Sequence, residues 1–422
     1  MSLLALMELV YGGGHRSPRP SEAAALLDAH PELTAGDAWL ACVPGDEGRI
    51  AKALEANAAW VNEPNSLNGM TPLTLVTFNG LLSLPRYAEP LRRCAALLLE
   101  SGADPNQTWD DPAFPNNPLS ALYGAAGKNH DFELTKLLLA AGANPNDNES
   151  LYHSLETADP TCTELLLAAG AKVTGTNSLF HVLDDEKPDR LRMLLAHGGD
   201  ANESSSYLNR PLHHAIRRGR SAEVIRILLD AGADPKAATN QGMTAYRMAL
   251  RYGMPEVADE LAARGAEETL SESEQLLASC ARGIAGAPGS ANGLSHDQLT
   301  MLPEMAQSGN AAAVKAMVLS GWPVAMRGGD WNATALNFAV FRGDPEMTAF
   351  LLAHGARWEE RHGYNDNVVG TLSFGSRERP EEGGDWVGCA RALIAAGMPL
   401  PADHYQFGPD VSTYFGEVRR TL

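Results

Sequence analysis

The chain has 422 residues, of which 44% are hydrophobic and only 6% aromatic, so alanine and leucine must fill most of its interior. Its 52 acidic residues outnumber the 33 basic ones and give a net charge of −19. A field of that sign repels phosphate groups, which argues against general binding to nucleic acids or to anionic membranes and favours a partner of basic character.

The first residues predict a helix, docked or frayed, rather than a leader peptide. Residues 1–10 are apolar, but they lack a basic leader and a clear cleavage site. Residues 15–20 predict a linker and residues 21–34 a capping helix, since the ends of a repeat array must face water. No apolar run reaches the roughly 18 residues that cross a bilayer. The five scattered cysteines form no CxxC pair, which indicates reduced thiols and a cytoplasmic protein.

One phrase recurs along the chain: a leucine pair, two further residues, Gly-Ala, and then a polar turn. Glycine at that place closes a helix C-terminus in the left-handed conformation, and Asp, Asn and Pro suit the turn that follows. Each copy therefore predicts a helix end and the start of a loop. Clear copies are LLLESGADPN (97–106), LLLAAGANPN (137–146), LLLAAGAKV (165–173), LLAHGGDAN (194–202), LLDAGADP (228–235) and LLAHGARW (351–358).

A second phrase predicts the start of the preceding helix, because Thr or Ser can cap an N-terminus and Pro suits the first helical position. Copies are TPLT (71–74), SALY (120–123), SLYH (150–153), SLFH (178–181), RPLH (210–213), TAYR (244–247) and TALN (334–337). The repeating unit is thus helix, turn, helix, loop.

This unit resembles the ankyrin repeat, whose motif TPLHxA followed by xLLxxGADxN is nearly matched by RPLHHAIRRGRSAEVIRILLDAGADP (210–235). The resemblance covers roughly residues 37–401. It implies an all-α solenoid of about ten to eleven helix-turn-helix repeats, with loops projecting from one edge.

The spacing of the phrase glycines departs from the family's period of about 33 residues. Gly142, Gly170 and Gly198 follow at intervals of 28, which predicts that the repeats at 147–203 lack a full projecting hairpin. Longer intervals predict insertions within 107–118 and 374–385, and a further insertion occupies 79–93. Insertions in loops often mark binding faces.

The interval of 56 residues from Gly265 to Gly321 predicts a decayed repeat. Ser271 and Glu274 fit a capping box for its first helix, whereas the Gly and Pro residues of 284–293 disfavour a second. The expected organisation is an N-terminal extension and capping helix (1–36), a first stack (37–269), a degenerate repeat or seam (270–300), a second stack (301–401) and a C-terminal cap (402–422).

Three histidines, His153, His181 and His213, share the fourth position of the starting phrase. The resemblance implies that they bridge backbone groups of neighbouring loops, and their separate repeats place them too far apart to share a metal ion. The chain lacks the common hydrolase, metalloprotease and nucleotide-binding motifs. Acidic pairs such as Asp110-Asp111 lack calcium-loop spacing. We expect no catalytic residue, metal or cofactor.

The candidate partner-binding residues begin with the long loop of the third repeat, which carries Trp109, Asp110, Asp111 and Phe114. Aromatic side chains in loops anchor protein interfaces, although local packing would explain them equally well.

Further candidates lie in the starting phrases and in one basic turn. Tyr152 and Phe180 occupy a position that the family fills with Leu, so a place in the core is the alternative. The turn with Arg217, Arg218 and Arg220 could clamp a carboxylate or phosphate, or form surface ion pairs. Trp331 flanks the TALN phrase.

These features favour a non-catalytic, monomeric protein that binds another protein through its concave groove and inserted loops. Usage rich in Ala, Arg and Pro favours a bacterial source. The alternative is a small-molecule sensor, with a pocket beside Trp109 or between the seam and Arg217. A host-directed effector or an enzyme-associated subunit is less favoured, because the stretches outside the repeats are too short to fold alone.

Overall fold

The computed structural model describes residues 2–12, 17–111, 117–147, 149–207, 209–379, 383–402 and 404–421. The chain divides into two compact units, Met1–Glu203 (unit 1) and Ser204–Leu422 (unit 2). Both are built from pairs of helices, which confirms the predicted all-α class. The candidate Phe114 lies outside the described residues.

Unit 1 consists of short helices in pairs, preceded by two N-terminal helices. Its α-helices are α1 (Leu3–Tyr11), α2 (Pro20–Ala29), α3 (Glu47–Ala56), α4 (Pro72–Thr77), α5 (Pro85–Glu100), α6 (Ala121–Tyr123), α7 (Phe132–Ala140), α8 (Ser150–Ser154), α9 (Thr161–Ala168), α10 (Ser178–Val182) and α11 (Pro188–Ala196). A π-helical turn, Gly124–Lys128, continues α6. Further 3-10 turns are Pro31–Thr34, Trp39–Cys42, Ala58–Asn62 and Gly80–Ser83. One hairpin joins β1 (Thr108–Trp109) to β2 (Leu119–Ser120).

Unit 2 repeats the same arrangement and ends in a longer helix. Its helices are α12 (Pro211–Arg217), α13 (Ala222–Asp230), α14 (Ala245–Arg251), α15 (Pro255–Ala263), α16 (Glu272–Ala281), α17 (His296–Leu299), α18 (Met301–Ser308), α19 (Ala311–Leu319), α20 (Ala335–Phe341), α21 (Pro345–Ala353), α22 (Val368–Glu378), α23 (Trp386–Ala395) and α24 (Pro409–Thr421). The hairpin of β3 (Arg327–Gly328) and β4 (Ala333–Thr334) precedes α20.

The phrase glycines end helices, as predicted. All nine of them have positive φ, between 79° and 99°: Gly102, Gly142, Gly170, Gly198, Gly232, Gly265, Gly321, Gly355 and Gly397. After α7, the N–H of Gly142 donates to Leu139 O at 3.1 Å and the N–H of Ala143 to Leu138 O at 3.0 Å. This pair of bonds is the Schellman motif, which satisfies carbonyls at a helix end.

The starting phrases behave as predicted where a full repeat is present. The hydroxyl of Thr71 accepts the N–H of Thr74, and that of Ser120 the N–H of Tyr123, so both cap their helices. Glu149 and Asn177, the residues before α8 and α10 of the 28-residue repeats, make no side-chain cap. Arg210 makes none before α12 either, where Pro211 takes the first helical position.

Two predicted insertions lengthen helices rather than loops. Residues 85–93 belong to α5, which runs for 16 residues from Pro85 at its first helical position and contains a second proline, Pro90. The insertion within 374–385 starts inside α22, which continues to Glu378. The expectation that these segments are loops was therefore wrong for residues 85–93 and for 374–378. The insertion within 107–118 does carry the β1–β2 hairpin.

The 28-residue repeats lack a hairpin, as the spacing predicts. Paired strands or bridges precede the starting phrases of fuller repeats, for example Ser205 with Asn209 and Ala238 with Thr244. Within the described parts of 143–150 and 171–178 no strand pairing occurs.

The decayed repeat retains one helix. Ser271 caps α16, which packs against α14 and α19. Residues 282–295 form no helix, and instead the N–H groups of Gly286 and Ala291 donate to Ser320 at 2.8 and 3.1 Å. Glu274 does not complete the predicted capping box, because its carboxylate pairs with Arg251 on α14. This repeat lies inside unit 2, and the predicted domain boundaries stay a prediction.

Candidate partner-binding surfaces

Six aromatic and histidine rings form a continuous series across consecutive repeats of unit 1, which we call the aromatic row. Neighbouring ring centroids lie 5.6, 5.8, 5.2, 5.0 and 4.2 Å apart along Trp109, Phe78, Tyr123, His153, Tyr152 and His181. The last pair is stacked, with an interplanar angle of 22°. Contacts of this kind add to the energy of simple burial.

The row follows the first helices of successive pairs. Phe78 comes directly after α4, Tyr123 ends α6, and Tyr152 lies in α8. Two glycines of the π-helical turn make room for it, because a Cβ at Gly124 would lie 2.7 Å from the ring of Phe78, and one at Gly127 would lie 2.6 Å from Tyr123.

Carboxylates flank the histidines of the row. The ring of His153 lies 2.9 Å from Glu156 Oε1 and 3.2 Å from Glu149 Oε2. Burial alone would lower the pKa of His153, but its bonds to Glu149 and Glu156 outweigh burial and raise the pKa. The same bond to His153 lowers the pKa of Glu149. The middle of the row thus carries one histidine between two carboxylates.

The shared histidine position has two different roles. His213 bonds Ala237 O at 3.0 Å, a backbone group of the next loop, as the resemblance implies. For His153 that expectation was wrong, since its partners are side chains of its own helix region. His181 stacks on Tyr152 and lies 3.9 Å from Asp184. A missing hairpin explains the difference for His153, because no strand pairing occurs within the described part of the following loop, 171–178.

The loop candidates lie at one end of the row. Trp109 is half-buried, its Nε1 donates to Asn68 O at 2.9 Å, and its ring meets Phe78 edge-on. Asp110 is exposed and Asp111 half-buried. Nearby, Lys128 Nζ donates to Tyr11 O at 2.7 Å at the end of α1, and burial lowers the pKa of Lys128 to about 8.

The two candidates from the starting phrases differ in exposure. Tyr152 is half-buried, with its ring between those of His153 and His181. Phe180 is 3% exposed, so its ring contributes to the core of unit 1.

The arginine candidates of unit 2 converge on one carboxylate. Arg217 and Arg218 donate to Asp330 Oδ1 and Oδ2 at 2.5 and 2.7 Å, and Arg220 donates to Arg218 O. Burial would raise the pKa of Asp330, but Arg217 and Arg218 outweigh it and lower the pKa. These are the ion pairs that the sequence left open as the alternative to ligand binding.

Trp331 borders a cavity of about 580 Å³, which we call the Trp331 pocket. Its walls include Phe341, Tyr364, Phe374, Tyr405 and Asp366. The Trp331 ring contacts Phe338, Phe341 and His362 at centroid distances of 4.7, 5.2 and 5.3 Å. The pocket lies at neither of the places where the sequence predicts one.

Sequence reasoning missed most residues of both surfaces. Phe78 and Tyr123 could have been found by aligning the repeats, since both stand at or just beyond the end of a first helix. Asp366 and Tyr405 gave no such signal, because 39 residues separate them.

Among the residues that the structure describes, no three His, Cys, Asp or Glu side chains lie together in a way that could hold a metal ion. Within the same part of the chain, no helix is both long and apolar enough to cross a bilayer.

The geometry defines a protein of repeated helix pairs, and comparison with known proteins assigns the repeat. Residues 179–272 match the family model of ankyrin repeats in three copies. This segment therefore consists of ankyrin repeats, as the resemblance predicted, and further helix pairs occur elsewhere in both units. Ankyrin repeats generally mediate binding between proteins.

Other comparisons add little. The crystal structure of the human ASB11 ankyrin repeat domain is similar over 56% of this chain and 100% of that domain, with 21% identity and a TM-score of 0.40. No protein with a curated description matches the chain.

Proposed function

We propose that the chain is a non-catalytic binding protein that holds a basic segment of a partner protein on the aromatic row. The carrying observation is the unbroken contact of six rings over consecutive repeats, with Glu149 and Glu156 beside them. Cations are attracted to the faces of aromatic rings, and carboxylates nearby add charge complementarity.

The loop candidates extend this surface. Trp109 ends the row, and Asp110 and Asp111 follow it directly in the chain. The net charge of −19 attracts a basic partner over a distance. Phe180 is left out because it is buried, and the arginine turn because Arg217 and Arg218 pair with Asp330. Phe78 is only 1% exposed, so it joins the neighbouring rings from within the core, and contact with the partner falls to the half-buried rings of the row. We propose further that the protein acts as a cytoplasmic monomer without a cofactor.

The test selects ligands from a displayed library of random peptides with the full chain as bait. Selected peptides should be rich in Arg and Lys, and Tyr152→Ala should weaken their binding about tenfold or more through the lost ring face. Tyr246→Ala is the matched control, because Tyr246 holds the same phrase position in unit 2. Glu149→Gln should reduce the salt dependence of binding.

Selection of acidic or purely apolar peptides would refute the proposal. So would basic peptides that bind Tyr152→Ala and the wild type equally, provided that circular dichroism shows both to be folded.

A further inference from the structure

The Trp331 pocket belongs to unit 2 and is independent of the aromatic row. Its volume of about 580 Å³ falls within the range typical of small-molecule sites, about 300–1,000 Å³. Its rim is open to solvent, since Tyr364 is 79% exposed and Phe374 49% exposed. Soluble proteins leave such side chains in water at some cost unless a ligand covers them.

Asp366 gives the pocket a negative charge at the start of α22. Its Oδ1 accepts the hydroxyl of Tyr405 at 2.7 Å and the N–H of Asn367 at 2.8 Å. Its Oδ2 accepts no hydrogen bond from any residue within the described ranges. Gly370, also in the wall, lies against Oδ2, and only glycine leaves room for this oxygen there, because a Cβ would collide with it.

Within the described ranges, no basic side chain forms an ion pair with this carboxylate. Arg361, whose charge acts on Tyr405, donates to Asn365 O instead. Burial, together with the bond to Asp366, raises the pKa of Tyr405 to about 12, so the phenol stays uncharged. Burial lowers the pKa of His362, whose Nδ1 accepts the N–H of Tyr364 at 3.3 Å. Arg377, also in the wall of the pocket, donates to Glu378 at 2.5 Å. The charge of Asp366 therefore remains available to a ligand.

The rings of the wall suit a cation in particular. Arg379 already lies over the ring of Phe341, with its guanidinium carbon 4.2 Å from the centroid. Trp331, Tyr364 and Tyr405 offer further aromatic surface near Asp366. Aromatic faces attract guanidinium and ammonium groups, most strongly where water is excluded.

We propose that the Trp331 pocket binds an organic cation, a guanidinium or an ammonium group, whose charge meets Asp366 while its flat or aliphatic part lies among the rings. A neutral aromatic ligand would leave the free oxygen of Asp366 without a donor, which is costly in a partly buried site. An anion would face that oxygen directly.

The test compares N-acetyl-arginine amide with N-acetyl-citrulline amide, which has nearly the same shape without the charge. Isothermal titration calorimetry on the full chain should show the arginine probe binding at least about tenfold more tightly. Asp366→Asn keeps the acceptor for Tyr405 but should abolish this preference. Asp410→Asn, an exposed change outside the pocket wall, is the matched control and should keep it.

Tyr364→Ser provides a second variant, because a side chain this exposed does little for folding. It should weaken arginine binding several-fold. Equal affinity for the two probes, an unchanged preference in Asp366→Asn, or no binding of either probe would overturn the proposal. None of these outcomes bears on the aromatic row, which the peptide selection tests separately.

The source of the cation is a further arm of the same experiment. A short glycine peptide with one central arginine stands for the side chain of a partner, and the single amino-acid amide stands for a free small molecule. Tighter binding of the peptide assigns the pocket to a protein segment, and equal binding assigns it to a free cation. Either result supports the organic cation.

Discussion

Two regions of the chain have lost residues relative to the full repeat, but they have lost different parts. The repeats at 147–203 keep both helices, α8 with α9 and α10 with α11, and have lost the hairpin. The decayed repeat of unit 2 keeps α16 and has lost the second helix. Where a hairpin is lost, the side chains of the first helices no longer contact it and contact one another instead. Loss of a helix opens the packing between neighbouring repeats.

Each loss has a visible consequence. Without hairpins, His153, Tyr152 and His181 contact one another and nearby carboxylates. Without the helix, a buried ion pair joins the remaining elements: Arg251 of α14 donates to Glu274 of α16 at 2.8 and 2.5 Å, and to Asp297 of α17 at 2.8 Å. The first loss creates a candidate surface, and the second is compensated internally.

The largest expected effect follows from removing this ion pair. Arg251→Ala should lower the free energy of unfolding by about 3–5 kcal/mol, because it leaves Glu274 buried without a counter-charge. The side chains of Arg251 and Glu274 are only 7% and 10% exposed, so water cannot replace the guanidinium. Urea unfolding followed by circular dichroism measures the change.

Arg264→Ala is the control, since Arg264 pairs with Asp230 at the surface of the same unit. Exposed pairs contribute about 0–1 kcal/mol. Equal effects of the two substitutions would mean that the Arg251 pair does not hold the decayed repeat together.

A middle-sized effect tests whether helix ends depend on the hairpin. Gly142 precedes a repeat without a hairpin, and Gly232 precedes one with a hairpin. Replacing either residue by Ala should lower the free energy of unfolding by about 1–2 kcal/mol, because both have left-handed φ, 95° and 94°. Neither Cβ would meet another atom, so strain is the whole cost. Gly416→Ala inside α24 should instead stabilise slightly. If only Gly232→Ala lowered the free energy of unfolding, the strain of the left-handed conformation would depend on the hairpin.

Local chemistry is what the sequence predicted well. The ends of helices follow from glycine, as at Gly142, and their starts from a capping hydroxyl, as at Thr71. The missing hairpins followed from the interval of 28 residues. The prediction was wrong where it rested on the presence of an insertion alone: residues 85–93 were expected in a loop, but proline at a first helical position starts a helix there.

The candidate surfaces were predicted only in part, because they depend on contacts between distant residues. Asp330 meets Arg217 across 113 positions, and no sequence pattern distinguishes this carboxylate from the other acidic residues. The sequence named Trp109 and Tyr152 as candidates, and the ring series that joins them passes through Phe78 and Tyr123, which it did not name. Only packing reveals that series.

The smallest expected effect compares repeats with and without a hairpin at one shared position, the histidine of the starting phrase. His153, in a repeat without a hairpin, has its pKa raised by the bonds to Glu149 and Glu156, which outweigh burial. His213, in a full repeat, has its pKa lowered, chiefly by burial. Nuclear magnetic resonance titration should therefore find His153 above, and His213 below, the usual value of about 6.5.

The two shifts have opposite consequences for stability. A raised pKa means that the folded chain holds its proton more tightly, so the contribution of His153 is present below about pH 6.5 and is lost as pH rises through its folded pKa. A lowered pKa means that the unfolded chain gains the proton first, so His213 costs stability as pH falls below about 6.5.

Substitution by glutamine separates these cases. His153→Gln should destabilise the protein by a few tenths of a kcal/mol more at low than at neutral pH, and His213→Gln should do the reverse. Denaturant midpoints of each variant against the wild type at both pH values measure the difference. If the stability of both variants changed in the same way with pH, the hairpin would not decide the charge of this histidine. Glu149 and Glu156 beside the aromatic row would then be too well hydrated to hold a proton, or a basic partner, in place.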